Sequence, residues 1–379
     1  MNNPFLFGVA TSGEWFTDRE EDTKRLVANF TYGVNTIIIS PRRWGKTSLV
    51  LKAAKEVENK NVKVVMLDVF SCRSPEDFYR IFATEIIKQT ASKWEEWVEN
   101  IKRFLSNLTP KISFGNDPNA EFSFSIDLSD KKINEEILSL PQKIAREKGI
   151  KIVVCIDEFQ QIAEFSDSVT FQKKMRGVWQ LQTQDVSYCL FGSKKHLLNS
   201  LFSKQNMPFY KFGDIIFLQK IATEHWIKYI INRFEQTGKH ISEELAEKIC
   251  QIVENHSSYV QQLSWLVWVR TDFSATPNDI EMALKDLINQ NSMLYYNYLE
   301  GFSMLQINFL SAVSNGVHDQ FSRKEIITKY NLNSSASVVR IKKSLENKDI
   351  IDVLPRFISF NDPVFRLWFR KEIQNINLP

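Results

Sequence analysis

Gly45, Lys46 and Thr47 sit in the stretch Ser40-Pro-Arg-Arg-Trp-Gly-Lys-Thr-Ser48, which follows an apolar run and leads into a helical pattern. Residues of these types in this order suit the grip of a chain of phosphates. Consecutive backbone N–H groups and a helix N-terminus attract an anion. Gly45 permits close approach of the backbone, Lys46 reaches the β- and γ-phosphates, and the Thr47 hydroxyl is a ligand for Mg²⁺. The stretch fits the template G-x-x-x-x-G-K-[ST] except at its first position, where Ser40 replaces glycine. That glycine eases a turn without touching phosphate, so Ser40 followed by Pro41 keeps the geometry. Arg42 and Arg43 either pair with a lid or the nucleotide, or stay solvated. Trp44 either covers the phosphates or packs on a neighbouring domain. The whole loop, Ser40 to Ser48, is the candidate nucleotide-binding segment.

A second motif supplies acids. The run IVVCIDEFQQI is an apolar strand that ends in Asp157-Glu158. Asp157 is placed to hold Mg²⁺ through water, and Glu158 to polarise an attacking water. Alone, an Asp-Glu pair is often only the cap of a following helix, here one starting at Phe159. Its occurrence after the loop, in the expected order on α/β strands, favours the chemical reading. A third element, SYCLFGSKKHLL, ends its strand at Gly192-Ser193. Ser193 either orders the lytic water and senses the γ-phosphate, or is a plain helix N-cap.

These side chains need a scaffold, and the hydrophobic pattern predicts one. Short, nearly continuous apolar runs at 35–40, 62–70, 150–156, 186–191 and 214–218 read as strands buried on both faces. Helical patterns lie between them, which gives a βαβ series and a three-layer α/β core over 1–220. The acidic pair is expected on a strand adjacent to the phosphate loop. A β-hairpin insertion is expected at about 108–130, after a helix near 93–107. From Thr223 the strand signals stop. Helical patterns at 223–237, 242–254, 257–271 and 276–290 predict a helical domain over 221–292, with Asn278 or Asp279 as a cap. The last part, 293–379, reads as a helix at 302–314, a helix at 323–330, a turn at 331–333, a helix at 334–348 and two short strands around 354–357. That is a winged helix-turn-helix pattern.

Composition bounds the rest. The chain of 379 residues exceeds one ordinary core, and 43% hydrophobic with 25% charged residues is the balance of a globular protein. A net charge of +3 permits a nucleic-acid partner without arguing for one. Cys72, Cys155, Cys189 and Cys250 are widely spaced and show no C-x-x-C pair, which disfavours a disulfide scaffold or structural zinc. No G-x-S-x-G occurs and the 5 histidines are dispersed. No apolar run approaches the roughly 18 residues of a membrane span. The start, MNNPFLFGVATSGEWF, lacks the basic segment of a signal peptide. The expected location is the cytoplasm, with no membrane partner.

The stretches WFTDREEDTKRL, SPRRWGKTSL, CIDEFQ, LFGSKKHLLNSLF and DPVFRLWF resemble the prokaryotic, archaeal-type P-loop ATPases related to the STAND and origin-recognition branches of AAA+. The resemblance covers nearly the whole chain. It implies a P-loop NTPase core, a helical lid and a winged helix. It also implies that Phe16, Arg19 and Glu20 lie beside the adenine. Two departures stand out. Where the family writes P-L-Y-G-R, this chain has MPFYKFG, so Lys211 and Phe212 replace the Gly-Arg that carries a candidate arginine finger. Lysine is not equivalent to the planar guanidinium. The family's G-x-P lid motif is absent from ENHSSYVQQL, where His256 either faces the nucleotide or is an ordinary helix-start side chain.

The resulting expectation is an ATP-binding switch with slow, Mg²⁺-dependent hydrolysis. Lys46, Glu158 and Ser193 are its catalytic candidates, and Thr47 with Asp157 its metal ligands. ATP bridges core and lid, and hydrolysis repositions the winged helix. The alternative is a DNA-associated ATPase whose winged helix presents Arg340 and Lys343 to DNA. A third reading is a nucleotide held permanently for structure. The aromatic helix around Phe365, Leu367, Trp368 and Phe369 is either core or a docking surface for a protein partner or self-association.

Overall fold

The computed structural model describes residues 3–10, 16–91, 131–182 and 184–376. The expected insertion at 108–130 and the helix before it lie outside them. The chain divides into two compact units. One is Arg19–Arg42 with Lys46–Gln219. The other is Met1–Asp18, Arg43–Gly45 and Lys220–Pro379. Residues before Asp18, which the sequence reading places with the α/β core, group with the helical part.

In the first unit the apolar runs become strands β1 Thr36–Ile39, β2 Val62–Asp68, β3 Lys151–Asp157, β4 Val186–Gly192 and β5 Asp214–Phe217. All pair in parallel, in the order β2-β3-β4-β1-β5. β1 and β4 are buried at every position, the signature of strands covered on both faces. The covering helices are α1 Glu20–Tyr32, α2 Lys46–Val57, α3 Pro75–Thr90, α4 Lys131–Lys148, α5 Ser168–Trp179 and α6 Lys195–Ser203. One expectation is corrected here. The acidic pair does not lie on the neighbour of the phosphate-loop strand, because β4 is inserted between β1 and β3. Parallel strands are joined by crossovers, so chain order leaves spatial order open. The insertion puts Gly192 opposite Ile39 and Leu190 opposite Ile156, which carries the end of β4 into the gap between the two motifs. An aromatic core holds this end. Trp179 stacks on Tyr188 at 3.9 Å, and Phe159, Phe202 and Phe209 pack around them.

The second unit contains α7 Thr223–Glu235, α8 Glu243–Ile252, α9 Ser257–Arg270 and α10 Pro277–Glu300. Ser242 caps α8 by accepting from Leu245 N–H. Thr276, not Asn278 or Asp279, is the N-cap of α10, and Asp279 completes a capping box with it. α10 runs ten residues past its expected end, because no Gly or Pro interrupts the chain between Pro277 and Gly301. Position 292, where the sequence reading ends the lid, therefore falls inside a helix. α11 Met304–Ser314, α12 Lys324–Lys329, α13 Ser335–Asn347, the antiparallel pair β6 Ile351–Leu354 and β7 Phe357–Phe360, and α14 Pro363–Glu372 follow. Together they form the winged helix.

Asp362 ties the two parts of this unit together. It caps α14 by accepting from Val364 and Phe365 N–H. The same carboxylate accepts from Tyr259 Oη of α9 at 2.7 Å and from Tyr295 Oη of α10 at 3.1 Å. Phe365, Leu367, Trp368 and Phe369 of α14 are at most 3% exposed and belong to the hydrophobic core, not to a docking surface.

Candidate functional site

The loop between β1 and α2 folds around left-handed backbone. Arg43 has φ 61° and Gly45 φ 89°. At Gly45 a β carbon would meet nothing within 4 Å, so it is the conformation that calls for glycine, not the space. Ser40 is fully buried and its Oγ donates to the Pro41 carbonyl at 3.2 Å. Lys46, only 6% exposed, donates from Nζ to the carbonyls of Ser40 at 3.2 Å and Pro41 at 2.8 Å. Its ammonium is thus held against the loop that it would serve. Ser48 is buried in α2, whereas Pro41 and Thr47 are half-buried and Arg42 is exposed.

Thr47 Oγ1 donates to Asp157 Oδ2 at 2.9 Å. The end of β3 therefore meets the start of α2 although β4 separates their strands. Asp157 Oδ1 accepts from Glu158 N–H at 2.8 Å. Burial raises the Asp157 carboxyl above its ordinary range, opposed by the Thr47 hydroxyl, the Glu158 N–H and the Lys46 charge. A hydroxyl and a carboxylate side by side are a hard-oxygen donor pair of the kind Mg²⁺ takes alongside phosphate and water. A carboxylate whose charge is disfavoured by burial gains further from a cation.

Glu158 has left-handed backbone, φ 53°. It stands at the head of a 3₁₀ segment, Phe159–Glu164, without capping it through its side chain. Its Oε2 accepts from Ser193 Oγ at 3.0 Å. Ser193 in turn accepts from Arg42 Nε at 3.2 Å. Lys194, not Ser193, is the N-cap of α6, so the serine hydroxyl is committed to Glu158 instead of the helix. Gln160 also donates to Glu158 Oε2, a role that the sequence alone does not assign. The signal is present in Asp-Glu-Phe-Gln, but an amide two residues from an acid meets it only when the backbone turns sharply.

The other expected residues are distributed as follows. Arg19 opens the core unit with φ 73° and a side chain 5% exposed, its Nη1 3.4 Å from Asp22. Glu20 is the exposed first residue of α1. Phe16 is half-buried and belongs to the other unit, as do Arg43, Trp44 and Gly45. Trp44 lies under the Lys220 ammonium, 5.9 Å from the ring centroid. Phe212, at the position of the family arginine, is 5% exposed and carries Arg176 over its ring at 4.8 Å. Lys211 beside it is exposed, 5.5 Å from the Tyr210 ring. Arg340 and Lys343 are on α13, on the side away from the inward-facing Val338, Ile341 and Leu345, and both are exposed.

His256 is the N-cap residue of α9 and is 6% exposed. Burial, reinforced by the charges of Lys220 and Arg43, pushes its imidazole down to about 3. An unfolded histidine titrates near 6.5. Because the folded value is the lower, neutral His256 contributes stability above pH 6.5 that is lost progressively as pH falls toward 3. Between pH 7 and pH 5 the urea-unfolding free energy of the wild type is expected to fall by about 2 kcal/mol more than that of His256→Gln. Parallel pH dependence of the two proteins would contradict this.

Among the described residues no group of three or more His, Cys, Asp or Glu is placed to hold a metal. No helix among them is long and apolar enough to cross a membrane.

Residues 9–183 match the family described as predicted AAA-ATPase, and residues 293–371 the family described as probable winged helix domain. The structure of the Walker-type ATPase PABY2304 of Pyrococcus abyssi aligns over 97% of this chain and 99% of its own, with TM-score 0.69 and 16% identity. The ORC2 protein of Aeropyrum pernix, solved as ADPNP–ADP complexes, aligns over 94% of each chain with TM-score 0.58 and 14% identity. The ORC1 protein of the same organism, solved in complex with DNA, aligns over 95% of this chain and 94% of its own, with TM-score 0.50 and 11% identity. At these identities the likeness is one of fold. No curated protein matches the sequence.

Proposed function

We propose that the chain is an AAA-type P-loop ATPase of the branch that includes the archaeal origin-recognition proteins, and that it binds ATP with Mg²⁺ and hydrolyses it slowly as a conformational switch; the match of residues 9–183 to the predicted AAA-ATPase family and of residues 293–371 to the winged helix family supports this reading. The observation that carries this reading is the Thr47–Asp157 hydrogen bond, which joins the phosphate loop to the acidic strand. Triphosphate lies along the backbone amides of Ser40 to Ser48, gripped by Lys46. Thr47 and Asp157 would hold Mg²⁺, which would supply charge neutralisation at the phosphates. Glu158 takes the proton of the attacking water, and Ser193 orients Glu158. Phe16 and Arg19 are proposed to flank the adenine.

The slow rate follows from the residues at 211 and 212. Phe212 is core and Lys211 lacks a guanidinium fork, and loss of an arginine finger costs about 10³–10⁵ in rate. The switch reading is supported within the second unit by a chain of contacts. Lys220 stands over Trp44 and 3.7 Å from Glu254, and Glu254 pairs with Arg366 of α14 at 3.0 Å. A change at Trp44 therefore has a physical route to the winged helix, and the helical lid and winged helix respond as one body. In the test, ATP with Mg²⁺ raises the melting temperature of the wild type and phosphate is released over minutes to hours. Stabilisation without any phosphate release would favour a permanently held nucleotide.

The pair Arg340 and Lys343 on the outer side of α13 favours a second reading, DNA binding through that helix. In an electrophoretic titration, Arg340→Ala/Lys343→Ala is then expected to lose at least about tenfold in affinity for duplex DNA and to show a flatter salt dependence. Wild-type protein that leaves duplex unshifted at low salt would end that reading.

A further inference from the structure

We infer that Gln160 is the positioning residue for Glu158, and that residue 192 is glycine to make room for it; the inference rests on the hydrolytic reading above. Gln160 lies two residues beyond Glu158, and its side chain is buried. Its Nε2 donates to Glu158 Oε2, the oxygen that also accepts from Ser193 Oγ at 3.0 Å. Two donors on one oxygen, arriving from different elements, fix the rotamer of the carboxylate. Among the described residues no hydrogen bond reaches the other oxygen, Oε1, which is left to accept a proton.

The amide can lie only one way round. Turned over, it would set its own oxygen against the carboxylate. As placed, Gln160 Oε1 is buried and accepts no hydrogen bond among the described residues. An unpaired buried acceptor is costly, so folding alone does not reward this arrangement. The amide lies against Gly192, at the end of β4. A β carbon there would overlap Gln160 Oε1, come within 3.0 Å of Gln160 Cδ and lie 3.3 Å from Glu158 Cα. The strand that delivers Ser193 thus ends in the one residue type that lets a glutamine side chain lie across it. An unpaired acceptor, an absent β carbon and the left-handed backbone of the acid all converge on one carboxylate.

The test uses the full chain as wild type, Gln160→Ala, Gln160→Leu, Gly192→Ala and the double variant Gln160→Ala/Gly192→Ala. Steady-state ATP hydrolysis is measured alongside binding of a fluorescent, non-hydrolysable ATP analogue and the melting temperature. Each single variant is expected to lose about 10- to 100-fold in kcat, while KM and analogue affinity stay within about twofold. The double variant is expected to turn over like Gln160→Ala, because the amide that a methyl group at position 192 would displace is already gone. Wild-type kcat in both Gln160 variants, a higher kcat in Gln160→Ala, or an equal loss from Gly192→Ala in both backgrounds would overturn the inference. Each of these leaves the hydrolytic reading standing, provided that the wild type hydrolyses ATP and depends on Lys46. A wild type that binds the analogue but hydrolyses nothing overturns both.

Discussion

A Lys46→Ala protein is expected to gain no thermal stability from ATP with Mg²⁺ and to release no phosphate above background. The wild type, at a nucleotide concentration about 100 times its Kd, gains about 2.7 kcal/mol from ligand binding, which for a chain of this size is a rise of a few degrees. The difference rests on one ammonium group. Lys46 Nζ is already bonded to the Ser40 and Pro41 carbonyls, at 3.2 and 2.8 Å, so a positive charge is stationed on the loop before any anion arrives. Removing it leaves those carbonyls facing an incoming triphosphate with nothing to offset their partial charge. The fold should tolerate the change, because Lys46 is the first residue of α2 and alanine is the best helix former. A differential scanning measurement of both proteins, with and without ligand, checks this. Equal ligand-induced shifts would remove Lys46 from the site.

Glu158→Gln is expected to separate binding from turnover. The substitution keeps shape and left-handed backbone and removes only the capacity to take a proton. Affinity for a non-hydrolysable ATP analogue should stay within about twofold, while phosphate release falls by about 10²–10⁴. Single-turnover assays of phosphate release, paired with calorimetric titration of the analogue, give the two quantities. Turnover within a factor of two of the wild type would leave Glu158 as a structural residue, held by Ser193 and Gln160 for packing alone.

Much of this site is legible in the chain because its parts are local. Ser40 to Ser48 form one turn, Asp157 and Glu158 end one strand, and each carries its own pattern of residue types. The five strands are equally plain, since burial on both faces leaves an almost unbroken apolar run. What a linear reading misses is what comes from elsewhere in space. The position of β4 between the two motifs depends on crossovers, which leave no mark on residue spacing. The Ser193 hydroxyl reads equally well as a helix N-cap, and only the approach of Glu158 in space takes it away from that use. Phe212 reads as a lost arginine, yet its burial beside Trp179 and Tyr188 gives it a packing role that the family comparison does not contain. α10 outruns its expected end at 290 because contacts of Tyr295 with Asp362 and Trp368, distant in sequence, carry the helix onward.

Asp362 has a consequence for how this protein can be taken apart. Its carboxylate serves two phenols on the helical segment and two amides at the head of α14. A chimera that grafts a foreign winged helix after residue 292 would confront Tyr259 and Tyr295 with whatever the donor supplies. Unless that residue is an acid in the same place, two hydroxyls would be stranded in an aromatic interior. The wing and the bundle that bears it are therefore inherited together, along with Phe5, which packs on Tyr229 and Phe234 of the same unit.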